Sequence, residues 1–346
     1  MFNNFFNRFR KGLGIDLGTA NTLVYVRNRG IVINEPSVVA INTRTEQILA
    51  IGSEAKEMLG KTPPHINTTR PLSGGIISDF EVAEKMLRYF IDKVNESERG
   101  HFARPQVIIG APLEITEVER KAVKDAVMNA GAKDVWVVEE PMAAAIGARM
   151  PVREPIGNII VEIGGGTTEI ALISLSGIVT WKSIKIAGDE LNRNIMQYAR
   201  ENFNLLLGEK QAEDIKIKIG SAMEIGEKTQ YPMRGRDLIS GLPKEVMIGD
   251  GEVREAMIKS LRTIVENIKG TLEISPPELI ADIHERGLLL SGGGSLLKGL
   301  DQLIARATEI PVRIADDPLT GVVRGTGIML DEPDLLEEVA VLSTKQ

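Results

Sequence analysis

The sequence predicts an α/β protein made of two similar lobes with a cleft between them. Three observations predict it. Residues 14–26, GIDLGTANTLVYV, read as strand, tight turn, strand. Residues 160–172, IVEIGGGTTEIAL, repeat that pattern. After each hairpin comes the same succession of strand, helix, strand and small-residue helix.

The first hairpin sets the chemistry. Its tip holds Gly18, Thr19, Ala20, Asn21 and Thr22, with Asp16 just before it. Glycine permits a backbone that residues with a Cβ resist. Successive N–H groups in such a turn form an anion-binding concavity, and a carboxylate beside it suits a cation carried by the anion. In the second hairpin Glu162 stands where Asp16 stood, and Gly164, Gly165, Gly166 and Thr167 form the tip. Two such hairpins suit a polyphosphate gripped from two sides.

The 346 residues exceed one compact core, so two domains are expected. Apolar content of 43% and charged content of 26% suit a globular protein. The net charge of −7 argues against a general nucleic-acid binder. No cysteine is present, which excludes thiolate chemistry and is compatible with a reducing cytoplasm. His65, His101 and His284 form no HxxxH or HExxH pair, so zinc hydrolysis is not expected. No stretch approaches the roughly 20 apolar residues of a membrane span.

In chain order, residues 1–12 come first. Phe2, Phe5, Phe6 and Phe9 recur at i, i+3, i+4, i+7, with Arg8, Arg10 and Lys11 among the polar positions. Such a stripe suits either an anionic membrane surface or a terminal helix packed on its own domain. After the first hairpin, residues 31–41 read as an apolar strand run, 54–61 as a short helix and 62–71 as a connector. Residues 79–94 carry a one-sided apolar helix. Residues 105–111 are a buried strand. Thr116 with Glu119 forms a capping box for a helix ending at Gly131. Strand 135–140 follows, and then Pro141 opens the small-residue helix MAAAIGA. In the second half, 188–208 read as one helix, 212–222 as another, 229–248 as strand-like and 251–274 as a helix. Residues 287–291 are a buried strand, 292–300 a glycine turn into a helix, and 311–318 a strand ending in acids and a proline. GVVRGTG (321–327) echoes MAAAIGA.

The motifs GIDLGTANTLVYV, NEPSVVAI, EEPMAAAIGA, IGGGTTEIALISLSGIV, GDELN, SPPELIADI and LLLSGGGSLLKGLD occur in order. Together they resemble the actin-fold ATPases (actin, the Hsp70 chaperones, sugar kinases) and, over nearly the whole chain, the MreB family. The resemblance implies an actin-like fold of duplicated ribonuclease-H-like lobes. Residues 13–31, 79–149 and 319–346 would form the first core, with 32–78 as its small subdomain. Residues 150–182 and 253–318 would form the second core, with 183–252 as its small subdomain. Residues 1–12 would be an amphipathic membrane helix.

It also implies ATP or ADP with Mg²⁺ as cofactors. Asp16 with Gly18–Asn21, and Glu162 with Gly164–Thr167, would be the phosphate loops, and the two acids would meet Mg²⁺ through water. Glu140 and Glu162 would be the catalytic residues, with Glu140 positioning the attacking water. Glu213 and Lys216 would approach ribose and adenine, although their i, i+3 spacing equally suits a surface ion pair. Gly292, Gly293, Gly294 and Ser295 would pack on the nucleotide. The implied partners are further copies of the chain in paired head-to-tail filaments, the anionic inner membrane surface and the cell-wall elongation machinery. The implied location is cytoplasmic, on the inner face of the plasma membrane, with no role for nucleic acid. The chain departs from the family pattern at Glu162, where aspartate is usual, and at Ser73 and Gly74, where arginine and aspartate are usual. An actin-fold small-molecule kinase is the alternative, and a chaperone would need a further peptide-binding domain.

Overall fold

The computed structural model describes residues 12–96, 104–226 and 228–343. Phe2, Phe5, Phe6 and Phe9, and with them the expected amphipathic segment 1–12 up to Lys11, lie outside the described residues. The chain divides into two units. The first comprises residues 1–156, 173–178 and 320–346, and the second 157–172 and 179–319.

The first unit is built on a five-stranded sheet. Its order is Asp134–Glu139, Gln106–Ala111, Gly12–Leu17, Asn21–Val26, Gly30–Pro36. The first hairpin pairs antiparallel, while Gly12–Leu17 runs parallel to Gln106–Ala111 and that strand parallel to Asp134–Glu139. Side chains alternate across the pleat. Leu13, Ile15 and Leu17 therefore enter one core with Met86, Leu87, Phe90 and Ile91 of helix Phe80–Glu96. On the opposite face Gly12 and Gly14 admit helix Gly321–Asp331, where a Cβ on Gly14 would overlap the Thr326 hydroxyl. The same helix lies backbone to backbone on helix Glu140–Gly147. A Cβ on Gly325 would overlap the Ala143 carbonyl oxygen, and one on Gly147 that of Gly321. Small residues at these positions make that approach possible, as the two echoing stretches anticipate. The Thr116–Glu119 capping box forms at helix Glu117–Asn129 as expected.

The chain leaves this sheet at Pro36 and enters a three-stranded sheet ordered Ile48–Ile51, Val39–Asn42, Ile66–Thr69, with helix Ser53–Met58 beside it. The apolar run 31–41 is thus two strands. Pro36 lacks the N–H to continue a ladder, and residues 32–36 belong to the core sheet rather than to the small subdomain. The chain returns through the short hairpin Leu72–Ser73 and Ile76–Ile77.

The second unit repeats the plan. Its sheet runs Gly177–Ile184, Thr168–Ser174, Asn158–Ile163, Leu288–Ser291, Val312–Ile314. Each sheet therefore has the order third, second, first, fourth, fifth strand, so the duplication read from the sequence holds. A second small sheet joins Leu205–Leu206, Gln230–Asp237 and Pro243–Gly249.

Helix 188–208 is shorter than expected. It ends at Phe203 because Asn204 takes the left-handed conformation at φ 50°, and Leu205–Leu206 then joins the sheet. Glycines 292–294 open a single 3₁₀ turn, Gly293–Leu296, and the following helix starts only at Leu300. Helix Pro277–Arg286, which the sequence reading passed over, follows the Ser275–Pro276 break. Residues 237–243 form a closed hairpin tip. Asp237 accepts from the Ile239 and Ser240 amides at 2.9 and 2.8 Å and from Lys244 Nζ at 2.8 Å. Ile239 and Leu242 on that tip are 81% and 65% exposed.

Candidate functional site: two loops with anchored carbonyls

Each unit carries one acid and one loop at the carboxyl ends of its own parallel strands, where open α/β sheets bind ligands. In the first unit Ile15 pairs with Ile109, so Asp16 follows at the level of Gly110, and Val138 is registered with Gly110. In the second unit Glu162 is registered with Ser291 and Leu290 with Ile314. Asp16 and Glu162 thus hold equivalent places.

The first loop turns tightly at Gly18, where a Cβ would sit 2.8 Å from the Asn21 carbonyl oxygen. Its carbonyls are tied from behind. The Ser37 hydroxyl donates to Gly18 O at 2.6 Å and the Ser37 amide to Ala20 O at 3.0 Å. The Gly75 amide donates to the Thr19 hydroxyl at 3.0 Å. A peptide is planar and trans, so its C=O and N–H point in opposite directions. Holding the carbonyls of Gly18 and Ala20 therefore turns the amides of Thr19 and Asn21 the other way, as an anion site requires.

The second loop reaches the same end by another route. The amides of Gly188 and Asp189, which start helix Gly188–Phe203, donate to the carbonyls of Gly164 and Gly165 at 3.1 and 2.8 Å. The amides of Gly165 and Gly166 then face away from that helix. Lys216 Nζ donates to Gly188 O at 2.8 Å, so the lysine supports the element that holds the loop. Glu213 lies one turn earlier on the same helix, Glu209–Ile219, and both are half-buried. Gly292, at φ 78°, lies against Glu162. A Cβ there would sit 2.6 Å from Glu162 Oε1 and would overlap the Ile163 carbonyl. Gly294 is pressed as closely on the Ile163 side chain. Gly293 lies within the same 3₁₀ turn, and the buried Ser295 hydroxyl donates back to Gly292 O at 2.6 Å, which locks the turn. The second unit thus gathers Glu162, Gly164–Thr167, Lys216 and Gly292–Ser295 into one neighbourhood.

In the first unit Glu140 is buried and begins its helix rather than ending the preceding strand. Its Cγ would lie 3.3 Å from a Cβ on Gly110, whose further neighbours are Val322 Cγ1 and, at 4.0 Å, Ile15 O, so Glu140 and Asp16 share one end of the sheet. Burial pushes the Asp16 carboxyl up to about 7. Among the described residues no three His, Asp or Glu converge as a self-sufficient metal site. One carboxylate per loop fits Mg²⁺, which usually keeps its waters and binds through one or two carboxylates plus phosphates. Ser37, Gly75, Gly188 and Asp189 are not among the site residues expected from the sequence, where Gly188 appears only as the start of a helix and Ser37 only within the motif NEPSVVAI.

The chain matches the family model described as MreB/Mbl protein over residues 10–338. It is 48% identical over 328 residues to the cell shape-determining protein Mbl of Bacillus subtilis strain 168, covering 95% of this chain and 98% of that protein. It is 47% identical over 341 residues to the cell shape-determining protein MreB of Escherichia coli K12, covering 97% of each. Among solved structures it is similar to MreB5 of Spiroplasma citri bound to ADP, at TM-score 0.90 and 36% identity, over 96% of this chain and 98% of that one. The MamK double helical filament, at TM-score 0.77 and 23% identity over 93% of this chain and 99% of that one, shares the fold. The actin-like fold expected from the motifs holds, and the chain belongs to the MreB/Mbl family.

Proposed function

We propose that this member of a cell shape-determining family is an ATP-binding cytoskeletal protein. It polymerises head to tail into paired filaments on the inner membrane surface and organises cell-wall synthesis. The observation that carries the nucleotide part is the pair of loops whose carbonyls are anchored from behind, each beside one acid. MreB5 of Spiroplasma citri, solved with ADP and with AMPPNP, supports the same reading.

In this reading Thr19–Asn21 and Gly164–Thr167 take the phosphates of one nucleotide. Asp16 and Glu162 receive Mg²⁺ through its waters, and the ion neutralises phosphate charge. Glu213 and Lys216 lie toward the ribose and adenine, and Gly292–Ser295 pack on the nucleotide. Glu140 orients the attacking water, since phosphoryl transfer depends on positioning and charge neutralisation. Open-ended growth follows from a heterologous contact that does not close. The four-subdomain division, with small subdomains within 32–78 and 183–252, belongs to the same proposal.

The test is sedimentation of the full chain with ATP and Mg²⁺, with and without anionic liposomes. ATP-dependent pelleting, increased by liposomes, is expected. A chain that stays monomeric at high concentration but phosphorylates a small-molecule acceptor would establish the kinase alternative. Glu140→Ala is expected to slow hydrolysis by about 10²-fold or more while keeping ATP affinity.

A further inference from the structure

We propose that Ser37 is the positioning residue of the first phosphate loop, holding it in the form that receives phosphate oxygens. The proposal rests on the nucleotide reading above and adds to it a residue outside both loops.

Ser37 is fully buried, between Pro36, the last residue of the core sheet, and the small-sheet strand that begins at Val39. It bonds three of the five residues from Gly18 to Thr22. Its hydroxyl donates to Gly18 O at 2.6 Å and lies 2.9 Å from the Thr22 hydroxyl, and its amide donates to Ala20 O at 3.0 Å. A serine has one hydroxyl proton, and here it goes to Gly18. Thr22 must therefore donate to Ser37, which gives a directed chain from Thr22 to Ser37 to Gly18. Thr22 and Ser37 are both fully buried. Such chains strengthen cooperatively, and a buried member left unpaired is costly.

The comparison of the two lobes gives the residue its meaning. In the second loop the carbonyl of Gly164, the counterpart of Gly18, is held by a main-chain amide at the start of a helix, as is that of Gly165, and no substitution short of proline removes such a donor. In the first loop the Gly18 carbonyl is held by a side chain. The orientation of the Thr19 amide thus depends on one hydroxyl group. Ser37 also leads directly into the small sheet: Gly52 N donates to Val38 O at 2.9 Å just before strand Val39–Asn42. Loosening Ser37 should therefore loosen residues 39–42 together with 18–22.

The experiment compares full-length wild type, Ser37→Ala, Ser37→Thr and Thr22→Val. Competition binding gives affinities for ATP, ADP and adenosine with Mg²⁺, and amide hydrogen exchange is followed on the nucleotide-free proteins. Ser37→Ala should weaken ATP and ADP about tenfold or more, leave adenosine unchanged, and speed exchange at 18–22 and 39–42. Ser37→Thr should restore the ratio of ATP to adenosine affinity. Thr22→Val, which keeps the bond to Gly18, should fall between wild type and Ser37→Ala. Equal loss of all three ligands in Ser37→Ala, or unchanged exchange at 18–22, overturns the proposal. If wild type binds no phosphate-bearing nucleotide, the nucleotide reading fails. The exchange data still decide whether Ser37 holds the loop.

Discussion

Asp16 shows how one side chain links charge to folding. Its carboxyl in the folded chain titrates near 7, against an ordinary 3.8, because burial disfavours the anion. A raised folded value means that the native state holds its proton more tightly than the unfolded one. The contribution of Asp16 to stability is therefore complete below about pH 4 and is lost as pH rises toward 7. Urea denaturation of the nucleotide-free protein from pH 4 to 8 should show this fall, and Asp16→Asn should remove its share of the slope. In the nucleotide reading Mg²⁺ repays that cost, so Asp16→Ala should weaken Mg²⁺-dependent ATP binding. Its equivalent, Glu162, lies against Gly292 with one methylene more than the aspartate usual in the family. Shortening it in Glu162→Asp should keep or raise the hydrolysis rate, read by phosphate release under saturating ATP.

The elements differ in how much of themselves they disclose in the sequence, and glycine makes the contrast measurable. Gly325 lies on the Ala143 backbone, whereas Gly270, inside helix Asp250–Glu273, has nothing within 4 Å of where a Cβ would go. Gly325→Ala should destabilise by about 1–3 kcal/mol or more through overpacking. Gly270→Ala should stabilise by up to about 1 kcal/mol through helix propensity. Thermal melts of the two variants check both signs. The echo of MAAAIGA in GVVRGTG is visible because close helix packing demands small residues at fixed spacing. The Thr116 capping box is visible because its partners are three residues apart. The end of the helix at Phe203 was not visible. It depends on the left-handed backbone of Asn204, and the same helix already holds Asn192, Asn194 and Asn202, so one more asparagine did not mark the end. Ser37 was not visible as an anchor either, because its partners lie 15–19 residues away and a lone serine after a proline has many uses.

At the scale of the molecule, the duplicated sheets were legible because each hairpin carries its own acid and small-residue tip. How the loops are held was not, since one is tied in part by a distant side chain and the other by helix amides. The proposed membrane attachment belongs to this scale as well. Phe2, Phe5, Phe6 and Phe9 would each contribute about 1.5–3 kcal/mol on burial, and a neighbouring basic residue about 1 kcal/mol, set against the ordering of the segment. One copy should bind weakly, and a filament presenting many copies should bind firmly. Deleting residues 2–9 should abolish liposome pelleting and leave ATP binding intact. A lowered melting temperature with unchanged lipid binding would instead place the segment on its own domain.

The hairpin tip at 237–243 bears on how the folded protein is degraded. Ile239 and Leu242 offer apolar side chains of the kind thermolysin cuts beside, in plain view of solvent. A protease needs several residues drawn out into its cleft, and Asp237 keeps this tip curled. The Lys244 ammonium and the Ser240 amide hold that carboxylate well below the usual range, so it stays charged in mild acid. The bait is exposed but closed, and limited thermolysis at neutral pH should spare it. Asp237→Asn, which keeps the size and loses the charge, should turn the tip into an early nick site.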